Sequence, residues 1–132
     1  MANYCMTVGG QDYELRLSAK TQAKLESKYN DGIVSIIFDS LDRISVRAEL
    51  FSAALSYNGN ANPIRDGFDF CDALIEDGVA GSEGFARILL EMAYTSGIIS
   101  ETVKNKSLAR LEDVFADEDE TGDEENPTAA TD

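Results

Sequence analysis

Apolar and polar positions alternate along most of the chain with the period of an α-helix, most clearly over residues 82–97. Four apolar side chains of this stretch are spaced i, i+3, i+4 and i+7 and therefore share one helical face: Phe85, Ile88, Leu89 and Met92. Ser82 is suited to cap the start of this helix, and Gly97 is placed to end it in a left-handed conformation. The other apolar segments are shorter or more polar, so we expect this helix to form the centre of the core.

A period of two marks the N-terminal segment, residues 3–17, as a β-hairpin. Its second strand alternates apolar with charged side chains, and we expect the apolar ones to be buried: Tyr13, Leu15 and Leu17. The turn is predicted at residues 9–12, where Gly9 and Gly10 favour a tight connection. Two strands alone are marginally stable, so the hairpin is expected to pack on the helices.

Five further helices are predicted from the spacing of apolar residues, at 19–30, 33–41, 46–58, 64–77 and 101–115. Ser18 and Ser45 are the predicted N-caps of the first and third of these helices. The segment 33–41 is short and strongly apolar, so we interpret it as a buried helix, with a strand as the alternative. In the helix 64–77 we expect four side chains to face inward: Phe68, Cys71, Leu74 and Ile75.

These patterns predict a mainly α protein. Residues 1–116 are expected to form one small helical domain with an N-terminal β-hairpin, and residues 117–132 a disordered acidic C-terminal tail. The tail has eight acidic and no basic residues, and it accounts for more than half of the net charge of −14. Because the chain is acidic and has no basic cluster, we do not expect it to bind nucleic acid through phosphates.

The two cysteines, Cys5 and Cys71, are not spaced as a metal site or a redox pair. We expect two buried, reduced thiols, with a disulfide as the alternative. The chain has no signal peptide, which favours a cytosolic location, and no apolar run approaches the roughly 20 residues that span a bilayer.

Residues that could carry out catalysis are few. The chain has no histidine, so the commonest base for a serine nucleophile is missing. Asp69, Asp72 and Glu76 follow one side of a predicted helix, which is typical of solvated surface. The tail matches three positions of a calcium loop, but Thr121 and Thr128 replace two ligands, so we expect at most weak cation binding. No catalytic, cofactor-binding or metal-binding residue is predicted, and the protein is not expected to be an enzyme.

The order of these patterns is similar to that of a known class of phage protein. The strand pair ends in YELRLS, the next helix breaks at Asp31-Gly32, and a short apolar helix follows. The later segments are ELFSAALSYN, a helix ending in LIEDG, and ILLEMAYTSGII. Over about residues 3–100 the chain resembles the tail assembly chaperones of long-tailed (siphovirus-like) phages, particularly those of phages and prophages of Gram-positive bacteria. The resemblance rests on the order of patterns and includes no catalytic motif.

The resemblance implies a function and a set of partners. Chaperones of this family bind the long helical tape measure protein, keep it soluble, and help to recruit tail tube subunits in the host cytoplasm. In many members a ribosomal frameshift yields a longer second product, and this chain would then be the shorter one. No cofactor and no membrane contact is implied, whereas self-association into a ring or spiral would give avidity for one long target.

The surface expected to contact the partner lies on the helices 45–57 and 101–115. Phe51 and Val114 lie off the main apolar stripe of their helices, and Phe115 is next to Val114, so these three are the candidate partner-binding residues. The alternative is that Phe51 and Val114 complete a thick core. Two other functions stay open: an acidic adaptor, such as a head–tail connector component, or a nucleic-acid mimic that inhibits a host protein.

Overall fold

The computed structural model describes residues 3–58 and 61–124, with the side chains of Asn58 and of residues 114–124 left out of the description. Two strands form an antiparallel hairpin, β1 (Tyr4–Val8) and β2 (Gln11–Leu15). Six α-helices follow: α1 (Ala19–Tyr29), α2 (Ile33–Ser40), α3 (Ile44–Leu55), α4 (Gly67–Glu76), α5 (Gly81–Thr95) and α6 (Glu101–Glu124). A 3₁₀ turn at Ser56–Asn58 ends the α3 segment. The predicted fold class, mainly helical with an N-terminal hairpin, is confirmed.

The hairpin turns in two residues, Gly9 and Gly10, and Val8 pairs with Gln11. Both glycines have positive φ, +58° and +79°, as a tight turn that follows the twist of the strands requires. The predicted inward side chains of β2 and the residues after it are buried as expected: Tyr13, Leu15 and Leu17. The buried Asn62 fixes this hairpin to α3, because its side-chain amide donates to the Glu14 carbonyl at 2.9 Å and to the Leu55 carbonyl at 2.6 Å.

The starts of the helices follow local chemistry only in part. Ser18 caps α1 as predicted, accepting a hydrogen bond from the Thr21 N–H at 3.3 Å. The predictions that Ser45 and Ser82 are N-caps are wrong. The chain leaves its extended conformation earlier, at Arg43 and Ala80, so both serines lie inside the first turn of their helices. The segment after Gly32 is a helix, α2, and not the alternative strand.

The helix α5 contributes seven buried residues to the core, as many as α3, which packs against β2, α2 and α4. The buried residues of α5 cover more than one face: Phe85, Ala86, Ile88, Leu89, Leu90, Met92 and Ala93. The chain leaves α5 through Gly97, whose φ of +80° confirms the predicted left-handed end. An aromatic contact joins the hairpin, α3 and α4, because the ring of Phe70 lies 5.1 Å from the rings of both Tyr13 and Phe51.

The helix α4 is rotated relative to its predicted orientation. Its buried residues are Gly67, Phe70, Cys71 and Leu74. The prediction that Phe68 and Ile75 face inward is wrong, since 56% and 57% of these side chains are exposed. The rotation follows from Gly67, which lies so close to α3 that a Cβ atom there would be 1.7 Å from the Ala48 carbonyl oxygen. Only glycine permits this approach. The close contact sets the rotation of α4 so that Phe70, and not Phe68, faces the core.

The last helix is longer than the sequence predicts. Its predicted end at Phe115 is corrected to Glu124, so the predicted boundary between domain and tail, after residue 116, lies within α6. Residues 117–124 include Asp and Gly122, which are poor helix formers, but extending an existing helix needs no new nucleus. Residues 125–132, the rest of the predicted tail, lie outside the described residues.

Candidate functional site

The structure separates the three predicted partner-binding residues. Phe51 is fully buried and contacts the ring of Phe70, so the prediction that it is exposed is wrong and it belongs to the core. Phe51 faces inward because α3 is packed on more than one side, by α2 and by α4. Val114 and Phe115 lie on α6, but their side chains are outside the described part of the chain.

Other apolar side chains are exposed that the sequence pattern did not mark as surface. The large ones are Val34, Phe38, Ile44, Tyr57, Phe68, Ile75 and Val103. Val34 and Phe38 lie on α2, Phe68 and Ile75 on α4, and Val103 on α6, while Ile44 and Tyr57 are single exposed residues at the two ends of the α3 segment. Two surfaces that include these residues are candidates for binding a partner.

The first surface is a groove between the C-terminal end of α2 and the outer side of α6. We call it the α2–α6 groove. It encloses about 370 Å³, open to solvent, and is lined by Phe38, Leu41, Val103, Lys106, Ser107, Arg110 and Leu111. Phe38 and Val103 are 37% and 41% exposed, so both present apolar surface to the solvent. The groove contains one of the two helical segments, 101–115, in which the sequence placed the partner surface.

A buried arginine holds the α2 side of this groove in place. The Arg47 Nε donates to the Ser40 carbonyl at 3.1 Å, and a terminal nitrogen donates to the Leu41 carbonyl at 2.8 Å. These carbonyls have no partner within α2 because they lie at its C-terminal end. The guanidinium also lies 4.6 Å from the centre of the Phe85 ring, and burial lowers the pKa of Arg47 from its usual value. Arg47 therefore ties the end of α2 to α5.

Ion pairs hold the α6 side of the groove on α5. The Lys104 ammonium lies 3.3 Å from the Glu91 carboxylate and 4.5 Å from the centre of the Tyr94 ring, and its side chain is only 12% exposed. Further along, Arg87 of α5 lies 2.5 Å from Glu112. Leu108 and Leu111 complete the contact by packing on the core. These interactions use one side of α6 and leave Val103 exposed to the groove.

Two cations line the groove and have no counterion among the side chains that the structure describes. Lys106 and Arg110 are one turn apart on α6 and both are exposed. Among the residues whose side chains the structure describes, neither forms an ion pair, in contrast to Lys104 and Arg87 nearby. The groove therefore combines an apolar floor with a positively charged edge in a chain whose net charge is −14.

The second surface is the outer face of α4, which we call the α4 strip. Phe68 and Ile75 are its apolar residues, and the carboxylates of Asp69, Asp72 and Glu76 surround them. All three acids are exposed, as predicted for a solvated row. Asp72 lies between Phe68 and Ile75 on the same face, because the three are spaced i, i+4 and i+7. The strip therefore carries a negative charge between its apolar residues, whereas the charges that line the α2–α6 groove, Lys106 and Arg110, are both positive.

The chemistry of the remaining groups is structural. Burial raises the pKa of the Cys71 thiol from 9.0 to about 11, although the nearby positive charge of Arg47 acts to lower it. Both cysteines are free thiols, but Cys5 is exposed, so the prediction that both are buried is wrong for Cys5. Its alternating strand position places it on the solvent side of β1.

No cluster of three potential metal ligands occurs among the described residues. In the same part of the chain, no helix has both the length and the apolar character to cross a membrane.

Comparisons of the chain with protein-family models, with curated proteins and with solved structures returned no match. The resemblance to tail assembly chaperones therefore stays a prediction from the sequence pattern.

Proposed function

We propose that this protein is a tail assembly chaperone of a long-tailed phage or prophage, and that it acts without catalysis. It binds helical segments of the tape measure protein, keeps that protein soluble and helps to recruit tail tube subunits in the host cytoplasm. The α2–α6 groove is the observation that carries the proposal, because it offers an apolar surface to a helix. The pattern resemblance over residues 3–100 supplies the identity of the partner.

The groove suits the apolar face of an amphipathic helix. Phe38 and Val103 are exposed on opposite walls, so a side chain of the guest helix can contact both of them. Burying one large apolar side chain contributes roughly 1.5–3 kcal/mol, which is less than association costs in lost freedom of motion. A single groove therefore binds weakly. Many copies along one long target, as in the proposed ring or spiral, would bind tightly through avidity.

The charge of the chain supports the chaperone role. A protein that displays apolar surface must avoid aggregating with itself, and a net charge of −14 provides mutual repulsion. More than half of this charge lies in residues 117–132, beyond the residues that line the groove. The acidic segment can therefore keep complexes soluble while the groove stays apolar.

Co-expression with a tape measure protein tests the proposal. Phe38→Asp and Val103→Asp place a charge in the groove, and each is expected to reduce the soluble fraction of the tape measure protein. Ile75→Asp is the matched control, because Ile75 is at least as exposed but lies on the α4 strip. Circular dichroism should show that all three variants stay folded, since none of the replaced residues belongs to the fully buried core.

The result that contradicts the proposal is a tape measure protein that is equally soluble and uncomplexed with and without this chain. The adaptor function, such as a head–tail connector component, then takes its place. The nucleic-acid mimic is a weaker alternative, because the exposed acids of α4 are interrupted by Phe68 and Ile75.

A further inference from the structure

We infer that the α2–α6 groove selects helices whose apolar stripe is bordered by aspartate or glutamate. This inference rests on the proposed function and names the chemistry of the segment that the groove binds. Lys106 and Arg110 carry it, together with the exposed apolar side chains of Phe38 and Val103 in the same groove.

The position of the two cations determines which side chains they can meet. They are spaced i, i+4 on α6, so they form a row along one edge of the groove. A guest helix that places its apolar side chains on Phe38 and Val103 also places the residues beside its stripe along this edge. Carboxylates there form ion pairs with Lys106 and Arg110, whereas lysines there meet like charges.

The overall charge of the protein opposes this preference, but only at long range. The net charge of −14 repels an acidic partner in solution. At physiological ionic strength, screening reduces interactions beyond about 8 Å, so a docked helix is governed by the groups that it contacts. The local cations therefore decide selectivity, while the distant charge lowers the association rate at low salt.

A second copy of this chain offers a similar helix, α4, but it fits the groove less well. Asp72 lies within the apolar strip of α4, between Phe68 and Ile75, so docking would bring a carboxylate onto the apolar floor. Burying a charge in that position is costly. In addition, α4 has only 10 residues, or about 15 Å of helix, which is short for a stable interface between two folded copies. A separate partner can provide a longer helix whose acids lie beside the apolar stripe and not within it.

Three synthetic helical peptides test the selectivity. They share one leucine stripe and differ only in the residues that border it, which are glutamate, glutamine or lysine. Fluorescence anisotropy with the full-length chain at 50 mM and 500 mM NaCl measures the affinities. We expect the glutamate peptide to bind about tenfold tighter than the lysine peptide, as two partly exposed ion pairs allow, with a smaller ratio at high salt.

Charge reversal in the groove should reverse this order. The double variant Lys106→Glu with Arg110→Glu is expected to prefer the lysine peptide. The matched control is Lys20→Glu with Lys24→Glu on α1, which changes the net charge by the same amount at exposed positions outside the groove. This control should keep the preference for the glutamate peptide.

Each other outcome overturns the inference. Equal affinity for the glutamate and lysine peptides, with Phe38→Asp abolishing both, means that the groove binds apolar helices without regard to charge, and the proposed function then survives. If the α1 control variant changes the peptide preference as much as the groove variant does, the net charge of the protein sets the preference. Self-association that is lost in both Ile75→Asp and the groove double variant identifies a second copy as the occupant. If no peptide binds, and Phe38→Asp leaves the soluble fraction of the co-expressed tape measure protein unchanged, the proposed function is contradicted as well.

Discussion

At the scale of single residues, the close contact between α3 and α4 depends on a position that has no side chain. Gly67 has no side chain, and its N–H donates to the Ser52 Oγ at 2.7 Å. Asp66 caps the same turn by accepting from the Asp69 N–H at 3.0 Å. One turn further, the Cys71 thiol fills a position next to Arg47 in the interior. These residues fix the rotation of α4 without forming any site of reaction.

Gly67→Ala should destabilise the protein. The added Cβ would lie 1.7 Å from the Ala48 carbonyl oxygen and 2.8 Å from the Ser52 Oγ, so α4 must move away from α3. We expect a loss of about 3 kcal/mol in the free energy of unfolding, measured by urea denaturation. Gly32→Ala is the control, because nothing lies within 4 Å of its Cβ position, and it should cost about 1 kcal/mol or less. Equal losses for the two variants would contradict the close packing of Gly67.

Cys71 should be inert in the folded protein. A chromogenic disulfide reagent at pH 8 is expected to label Cys5 within seconds to minutes and Cys71 only after denaturant is added, because Cys71 is buried and its thiol is protonated. Cys5→Ser isolates the slow thiol. Rapid labelling of Cys71 in this variant would show that α4 opens in the native protein.

The raised pKa of Cys71 also predicts how stability depends on pH. Between about pH 9 and pH 11 the folded state holds the thiol proton and the unfolded chain has lost it. The free energy of unfolding therefore falls as pH rises through this window, by roughly 3 kcal/mol at most. Cys71→Ala should show a smaller fall over the same range in chemical denaturation. An identical pH dependence of the two proteins would contradict the effect.

At the scale of helices, α4 and α6 show that an amphipathic helix can leave apolar residues outside. The helix α4 is covered on one side by α3, and Phe68 and Ile75 lie on the other. The helix α6 packs on α5 through Leu108 and the two ion pairs, and Val103 lies outside that contact. In both helices the buried side is set by the neighbouring element, and the residues left exposed are the ones available to the proposed binding surface.

The rotation of α4 can be measured with two phenylalanines that are two positions apart. Phe70→Ala removes a fully buried ring that contacts Tyr13 and Phe51, so the free energy of unfolding should fall by about 3–5 kcal/mol. Phe68→Ala removes a ring that is 56% exposed, and a loss of less than about 1 kcal/mol is expected. Thermal or urea denaturation of the two variants gives the comparison. A larger loss for Phe68→Ala would restore the orientation predicted from the sequence.

At the scale of the whole molecule, charge and apolar surface are separated along the chain. Residues 117–132 contain eight acids and no bases, whereas residues 1–116 have a net charge of only −6. The described part of α6 runs through this boundary without interruption. The two cations of the α2–α6 groove thus lie on the same helix as the start of the acidic segment.

Truncation after Ala116 should leave the domain folded. The removed residues contain no aromatic or β-branched apolar side chain, so the midpoint of thermal unfolding should stay unchanged or rise slightly as self-repulsion falls. The solubility limit should decrease, because the net charge changes from −14 to −6. Differential scanning fluorimetry and precipitation assays measure the two effects. A loss of several degrees would show that the acidic segment packs on the domain.

The sequence by itself determined the elements, because their signals are local. The alternation through Tyr13 and Leu15 predicts a half-buried strand, and the positive φ that Gly9 and Gly97 adopt is accessible at little cost only to glycine. The N-cap at Ser18 was also predictable from local sequence, since a cap needs only the backbone N–H groups of the first helical turn. The helical period of α5 was strong enough to predict one of the two helices that contribute most residues to the core. The end of α6 was missed because acidic composition favours disorder, whereas extending an existing helix needs no new nucleus.

Only the tertiary structure decided which side of each helix is buried and where a binding surface forms. Phe51 and Phe68 have the same chemistry, yet the first is fully buried and contacts Phe70 of α4, whereas the second is 56% exposed. The α2–α6 groove brings together Phe38 and Val103, which are far apart in sequence, so no local pattern could predict it. Helical periodicity gives the angle between side chains, but the neighbour against which a helix packs sets the rotation of the whole helix. Here the close approach at Gly67 set that rotation for α4, and the ion pairs of Lys104 and Glu112 fastened α6 to α5 with Val103 left facing the groove.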